Sequence, residues 1–118
     1  MNDLGPQSKK FQKELNAGIS SLVLLTVLKN SGVPMYGYQI AKLLEDNGPS
    51  LPLMKQGTLY PVLRSLDENG LLSSRVEPSV SGPPRKYYTI TSDGRDALKE
   101  WMEIWDKTQE FVNVILKG

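Results

Sequence analysis

Apolar side chains recur at helical spacing near the start of the chain, and turn-forming residues divide this region into two predicted helices. The first is predicted over 8–30, and its second half, 19–28, is apolar nearly all round, which predicts burial on several sides. Gly32 follows this helix and suits the left-handed position that ends one. The second helix is predicted over 36–46. Its expected core-facing residues are Tyr36, Ile40, Leu43 and Leu44.

A third helix is predicted from an apolar stripe formed by Leu59, Val62, Leu63 and Leu66. Proline is compatible with the first turn of a helix, but further inside it loses a hydrogen bond and clashes with the preceding turn. Pro61 therefore predicts that the helix begins close to Gln56, and Asn69-Gly70 is expected to close it. The segment 51–54 before it is expected to be extended.

Two strands and a long helix complete the predicted order of elements. The strands are expected over 72–77 and 86–91, and the run between them is rich in turn formers, which indicates a hairpin. Thr91 is a good N-cap for a final helix that should reach about Leu116. Residues of this helix recur at alternating spacings of three and four, which is typical of a heptad-like packing seam. The seam residues are Leu98, Trp101, Met102, Trp105, Thr108, Val112 and Ile115.

The polar face of the third helix has an unusual set of side chains. Gln56, Tyr60 and Arg64 fall four residues apart, with Lys55 and Thr58 beside them. A solvated face normally carries Glu and Lys, whereas amide, phenol, hydroxyl and guanidinium groups contact base edges and phosphates in a major groove. On an isolated helix this pattern would favour ordinary surface positions, whereas within a winged helix, which the order of elements below predicts, it favours DNA contact. The alternatives are ordinary surface positions and, for Thr58, a role in tightening the helix start.

Composition narrows the range of functions. The chain has 118 residues, a net charge of +1, no Cys and no His. Its length predicts one domain, or one domain with an appendage. The core of such a domain is modest in size, so a partner subunit would add to its stability. Without Cys or His, disulfides, most catalytic triads and most transition-metal sites are excluded. The acidic residues are scattered, so we expect no enzyme, metal or cofactor.

The apolar run 19–28 is also relevant to where the protein resides. It follows three lysines and superficially imitates a signal peptide, but no small-residue cleavage site comes after it. It is too short to span a bilayer. We therefore expect a buried helix in a cytoplasmic protein without a membrane partner.

The order helix, helix, helix, hairpin, helix predicts an α+β winged helix-turn-helix with an extra N-terminal helix segment and a long C-terminal helix. The hairpin would be the wing, and its tip carries Gly82 beside Arg85 and Lys86, so that backbone and cations can approach a phosphate strand or a minor groove. We expect a winged-helix DNA-binding domain over 1–91 and a dimerisation helix over 92–118.

Four motifs resemble the PadR-family transcriptional regulators in order and spacing. They are Tyr36–Ile40, Gly57–Leu63, Asn69–Leu72, and Arg85–Thr91 followed by Gly94. The single C-terminal helix resembles a small subfamily typified by a lactococcal multidrug regulator. Two features depart from the family pattern: the Pro-rich wing tip and the two tryptophans of the last helix.

The resemblance implies a homodimeric repressor with a ligand-responsive core, and we expect it to bind a palindromic operator in double-stranded DNA. The alternative is a winged-helix module that binds a protein partner through the same surface, which the modest net charge keeps open. The candidate DNA-binding residues are Tyr38, Lys55, Gln56, Thr58, Tyr60, Pro61, Arg64, Gly82, Arg85 and Lys86.

The seam of the last helix suggests both dimerisation and ligand binding. On an isolated subunit it would expose a larger apolar strip than soluble monomers usually tolerate, so a two-fold dimer is expected. Trp105 could pack against its partner copy or form the wall of a flat slot for a planar apolar small molecule. The resemblance favours the slot. The candidate ligand-binding residues are Ile19, Leu22, Trp101 and Trp105.

Overall fold

A computed structural model describes residues 4–48 and 56–118 of the chain. Within these residues, four helices and three short strands follow one another in the order predicted for a winged helix, with one additional strand. The bounds are α1 Pro6–Ser31, β1 Met35–Tyr36, α2 Gly37–Asn47, α3 Gln56–Glu68, β2 Leu72–Glu77, β3 Arg85–Ile90 and α4 Ser92–Lys117. The predicted α+β winged helix-turn-helix is confirmed, whereas the predicted extended segment 51–54 lies outside the described residues.

The ends of α1 follow local chemistry. The helix starts at Pro6, whose fixed φ suits a first turn, and Gly32 ends it with φ 69°. The predicted role of Gly32 is confirmed, although the helix begins earlier than predicted. Within α2, Ile40 is fully buried but Leu43 is 37% exposed. The prediction that Leu43 belongs to the core stripe is therefore wrong for the isolated chain.

Pro61 does not lie in the first turn of α3. The helix runs from Gln56 to Glu68, so Pro61 lies inside it. It comes after the first turn, in which the backbone N–H groups of any helix lack an acceptor within the helix. Gln56 is also the first described residue after position 48, so the predicted helix start there stays a prediction, whereas the expectation that Pro61 lies in the first turn is wrong. A proline at this depth leaves one backbone carbonyl of the preceding turn without its helical N–H partner.

The sheet is antiparallel and has the strand order β1-β3-β2. In the hairpin, β2 and β3 pair from Leu72 opposite Ile90 to Glu77 opposite Arg85. The unpredicted strand β1 pairs with the other edge of β3, with Tyr36 opposite Tyr87. This pairing fixes the start of α2 next to the base of the wing.

The core lies between the helices and one face of the sheet. Leu59, Leu63 and Leu66 of α3 are buried and Val62 is partly buried, which confirms the predicted stripe. The other buried apolar residues come from every element of the winged helix, including the first part of α4. They are Leu24, Leu25, Leu28, Met35, Ile40, Leu72, Tyr88, Ile90 and Leu98.

A tight joint connects the end of α3 to the start of α4. Thr91 caps α4, as predicted, because its hydroxyl oxygen accepts from the Gly94 N–H at 3.0 Å. The same hydroxyl donates to the Gly70 carbonyl at 2.7 Å, and the Thr91 N–H donates to the Leu71 carbonyl at 3.2 Å. A Cβ on Gly94 would overlap the Leu71 carbonyl oxygen, so only glycine allows this approach.

Beyond Trp101, α4 extends away from the core and all of its residues are exposed. The described residues extend over 55 × 36 × 22 Å with a radius of gyration of 16.0 Å, whereas a compact domain of this size has a radius of gyration of about 13 Å. The elongation and the apolar side chains on the protruding helix indicate a surface that is not covered within one chain.

Candidate nucleic-acid interface

One open cleft brings together half of the predicted DNA-contact residues. It lies between the start of α2, the polar face of α3 and the wing, and its volume is about 430 Å³. Residues from all three elements line it: Tyr36, Gly37, Tyr38, Tyr60, Arg64, Pro84, Arg85, Lys86 and Tyr88. Residues separated by more than fifty positions in the sequence thus form a single surface rich in phenol and guanidinium groups.

Gly37 allows α2 and α3 to approach each other at this cleft. A Cβ at this position would overlap the ring of Tyr60, so the Tyr60 phenol lies directly on the backbone at the start of α2. Tyr60 is 41% exposed and therefore remains able to contact a ligand. Gly37 belongs to the sequence motif Tyr36–Ile40, but no role was predicted for it. The sequence feature that could have indicated its role is its position between Tyr36 and Tyr38.

The two arginines of the cleft have different surroundings. Arg64 is exposed on α3, and Arg85 is exposed at the first residue of β3. Neither makes an ion pair with any described residue. The guanidinium carbon of Arg85 lies 4.6 Å from the centroid of the Tyr36 ring, a cation–π distance. Both guanidinium groups are therefore available to an anion.

Lys86 is less available than the sequence suggested. Its ammonium lies 3.8 Å from a carboxylate oxygen of Asp67 on α3, which also accepts a hydrogen bond from the Ser74 hydroxyl. Asp67 was not singled out from the sequence because it is adjacent to Lys86 only in the folded chain. Burial, and then the Asp67 carboxylate, raise the pKa of the Tyr88 phenol above its ordinary value.

Tyr38 also lines the cleft and is 54% exposed. Three further predicted DNA-contact residues, Thr58, Pro61 and Gly82, are described but do not line it. Thr58 and Pro61 are exposed on α3, and Gly82 is exposed in the wing with φ 105°. This φ requires glycine at the turn. Lys55 lies outside the described residues, and so does the side chain of Gln56.

A second groove, of about 310 Å³, lies between α1 and α4. It is lined by Leu22 and Trp101 of the predicted ligand set, together with Ile104, which was not predicted. The other two predicted ligand residues, Ile19 and Trp105, do not line this groove, and Trp105 is 37% exposed.

The predicted seam of α4 divides into two parts. Leu98 is 1% exposed and packs into the core of its own chain, so it is not accessible to a partner. Trp101 is partly buried, whereas the later seam residues Met102, Trp105, Thr108, Val112 and Ile115 are exposed. Further exposed apolar residues lie beside them and at the start of α1. They are Ile104, Phe111, Val114, Leu116, Phe11 and Leu15.

Within residues 4–48 and 56–118, no group of three or more His, Cys, Asp or Glu residues could hold a metal ion. Among the described helices, none is long and apolar enough to cross a membrane.

Comparison with known proteins identifies the family. The sequence model of the transcriptional regulator PadR-like family matches residues 24–100. A PadR family transcriptional regulator from Eggerthella lenta is 34% identical with a TM-score of 0.79, and the match covers 92% of this chain and 91% of that one. A transcriptional regulator from Clostridium thermocellum is 28% identical with a TM-score of 0.75, covering 85% of this chain and 92% of that one.

Bacillus subtilis PadR, whose structure contains operator DNA, shares the fold. Its identity to this chain is 23%, its TM-score is 0.64, and the match covers 71% of this chain and 46% of that one. The family match extends over more than half of the sequence. The chain therefore belongs to the PadR-like family of transcriptional regulators, which are not enzymes.

Proposed function

We propose that this protein is a homodimeric repressor that binds a palindromic operator in double-stranded DNA. The observation that carries the proposal is the cleft in which Tyr60 and Arg64 of α3 face Arg85 of the wing. The phenol and the two unpaired guanidinium groups are suited to phosphates and base edges. The complex of Bacillus subtilis PadR with operator DNA supports the same class of partner.

In this proposal each subunit places α3 in a major groove. Arg64 and Gln56 read base edges, while Tyr38, Tyr60 and the wing residues Arg85 and Lys86 contact the backbone. Thr58, Pro61 and Lys55 are proposed as further DNA contacts. At the tip of the wing, Gly82 would approach the DNA closely and add to the backbone contacts of Arg85 and Lys86.

The dimer is proposed to form through α4, assisted by α1. The exposed apolar face of α4 continues from Trp105 through Val112 to Ile115, and a two-fold axis would bring two such faces together. The dimerisation segment is thus 92–118 and the DNA-binding domain 1–91, although the first turns of α4 also serve the core of that domain. Two-fold symmetry of the protein implies two-fold symmetry of the operator.

The first prediction concerns the contribution of Arg64 to DNA affinity and the dependence of that affinity on salt concentration. Arg64→Ala is expected to weaken operator binding by about 1–3 kcal/mol if the lost group makes a good base contact. The logarithm of the affinity should fall with the logarithm of salt concentration, with a slope of about −0.9 per phosphate neutralised. Operators selected from random duplex DNA, followed by fluorescence anisotropy at several salt concentrations, would measure both quantities.

Arg95→Ala is the matched control, because Arg95 is exposed on the α1 side of α4, away from the cleft. It makes the same change in charge and should leave affinity almost unaltered. Equal losses in the two variants would show that Arg64 acts only through net charge. Binding that ignores salt would refute the proposed function and favour the alternative, a winged-helix module for a protein partner.

A planar apolar small molecule is proposed as the effector. The groove lined by Leu22, Trp101 and Ile104 lies beside the exposed face of α4, so in a dimer it would border the interface. A flat ligand would stack on the indoles there and be largely desolvated. Ile19 and Trp105 would complete the slot once the second subunit is present. The ligand and DNA would then be coupled through the separation of the two subunits.

The second prediction tests this slot by tryptophan fluorescence. Planar aromatic dyes should quench the emission of the wild-type dimer, because they stack on the indoles. Quenching should be lost in Trp105→Ala and retained in Trp101→Phe, which keeps an aromatic wall. If no dye from a broad panel binds while the dimer is intact, Trp105 is a packing residue and the effector proposal fails.

A further inference from the structure

Tyr36 lies where the wing meets the helix-turn-helix. It is the last residue of β1 and immediately precedes α2, while Arg85 is the first residue of β3. The face of the Tyr36 ring lies under the Arg85 guanidinium, with 4.6 Å between the guanidinium carbon and the ring centroid. Arg85 thus leans back from the wing onto the start of α2.

The Tyr36 ring itself is held from several sides. It packs edge-on against Tyr87, with 5.3 Å between ring centroids, and lies nearly parallel to Tyr38 at 6.5 Å. Its backbone pairs with Tyr87 in the sheet, and its N–H donates to the Gln39 side chain at 3.1 Å. The ring is half-buried, so it is a fixed platform rather than a free surface group.

Arg85 needs such a platform because of its place in the hairpin. The β2–β3 pairing ends at Glu77 opposite Arg85, and the next residues toward the tip are Gly82-Pro83-Pro84. An arginine at the end of a ladder samples many rotamers, and fixing it on binding costs entropy. A cation–π contact restricts the guanidinium before DNA arrives, while its N–H groups remain free at the ring edge to donate to phosphate oxygens.

We propose that Tyr36 is a positioning residue for DNA binding, which holds Arg85 over the cleft so that the wing and the helix-turn-helix present their contacts as one rigid surface. The inference rests on the proposed function. In it, Tyr36 acts through Arg85, since the ring face that would meet a ligand is covered by the guanidinium. Arg85 makes the phosphate contact.

A double-mutant cycle tests this assignment. The variants are Tyr36→Leu, Arg85→Gln and the double change, measured with a mixed-sequence DNA duplex over a range of salt concentrations. Arg85→Gln should weaken binding several-fold and flatten the log–log salt slope by about 0.9, the value for one phosphate. Tyr36→Leu should reproduce most of both effects. Adding it to Arg85→Gln should then cause little further loss, and Tyr36→Phe, which keeps the ring, should bind like wild type.

The outcomes separate this inference from the proposed function. If the wild type binds DNA with a steep salt dependence but Tyr36→Leu causes the same additional loss with and without Arg85, the positioning role is overturned. If the wild type shows no salt-dependent binding, the proposed function itself fails. Thermal unfolding of each variant identifies loss of structure. Should Tyr36→Leu not fold, the cycle is repeated with Tyr36→Ile, whose branched side chain suits a strand.

Discussion

Val112→Glu is expected to convert the proposed dimer into monomers and to remove tight operator binding. Val112 is 43% exposed in the single chain and lies on the apolar face of α4. Burying an unpaired carboxylate against the partner subunit would cost several kcal/mol. Because each subunit is proposed to bind one half-site, the loss of linkage should weaken operator binding on the order of 10²–10⁴-fold. Light scattering coupled to size-exclusion chromatography would report the mass, and fluorescence anisotropy the affinity.

Asn113→Glu is the matched control for this experiment. It places the same side chain at the next position of the same helix, where the neighbouring face is polar. This variant should remain dimeric and keep its affinity for the operator. If the wild type is a stable monomer at micromolar concentration, or if both variants dissociate alike, assembly through the apolar face of α4 is refuted.

Gly94→Ala is expected to destabilise the protein by about 1–3 kcal/mol, a typical cost of overpacking, even though alanine is the better helix former. Gly94 lies in the first turn of α4, and a Cβ there would overlap the Leu71 carbonyl oxygen and approach the Ile90 side chain at 2.9 Å. The Leu71 carbonyl is backbone and also accepts from the Thr91 N–H, so it cannot move away without breaking the joint. Chemical denaturation of both proteins gives the difference in the free energy of unfolding.

Gly18→Ala provides the control. Gly18 lies inside α1, its φ is not positive, and no atom lies within 4 Å of the place of its Cβ. Removing glycine from such a helix position should stabilise the protein by about 0.5–1 kcal/mol. A Gly94→Ala variant as stable as Gly18→Ala would show that the turn after α3 can shift to accommodate a Cβ at little cost in stability. The joint would then not fix the angle between α3 and α4.

Local chemistry in the sequence determined most of the elements and the family. The spacing of Leu59, Leu63 and Leu66 predicted the buried side of α3, and the side chain of Thr91 predicted the start of α4. These features depend on residues within a few positions of each other, so periodicity and capping rules apply. The order of elements then indicated the winged helix, and four motifs indicated the PadR family, which the family match confirms.

Only the tertiary structure decided which groups meet across the fold. The strand β1 forms because Met35 and Tyr36 pair with the edge of β3 that β2 leaves free. A strand of two residues has no sequence pattern from which it could be predicted. The ion pair between Lys86 and Asp67, and the cation–π contact between Arg85 and Tyr36, join residues far apart in the sequence. Likewise, Leu98 continues the same periodicity as Val112, yet one is buried in its own chain and the other is exposed. Periodicity places a residue on a face of its helix, but what lies opposite that face depends on how the helices and the sheet pack together.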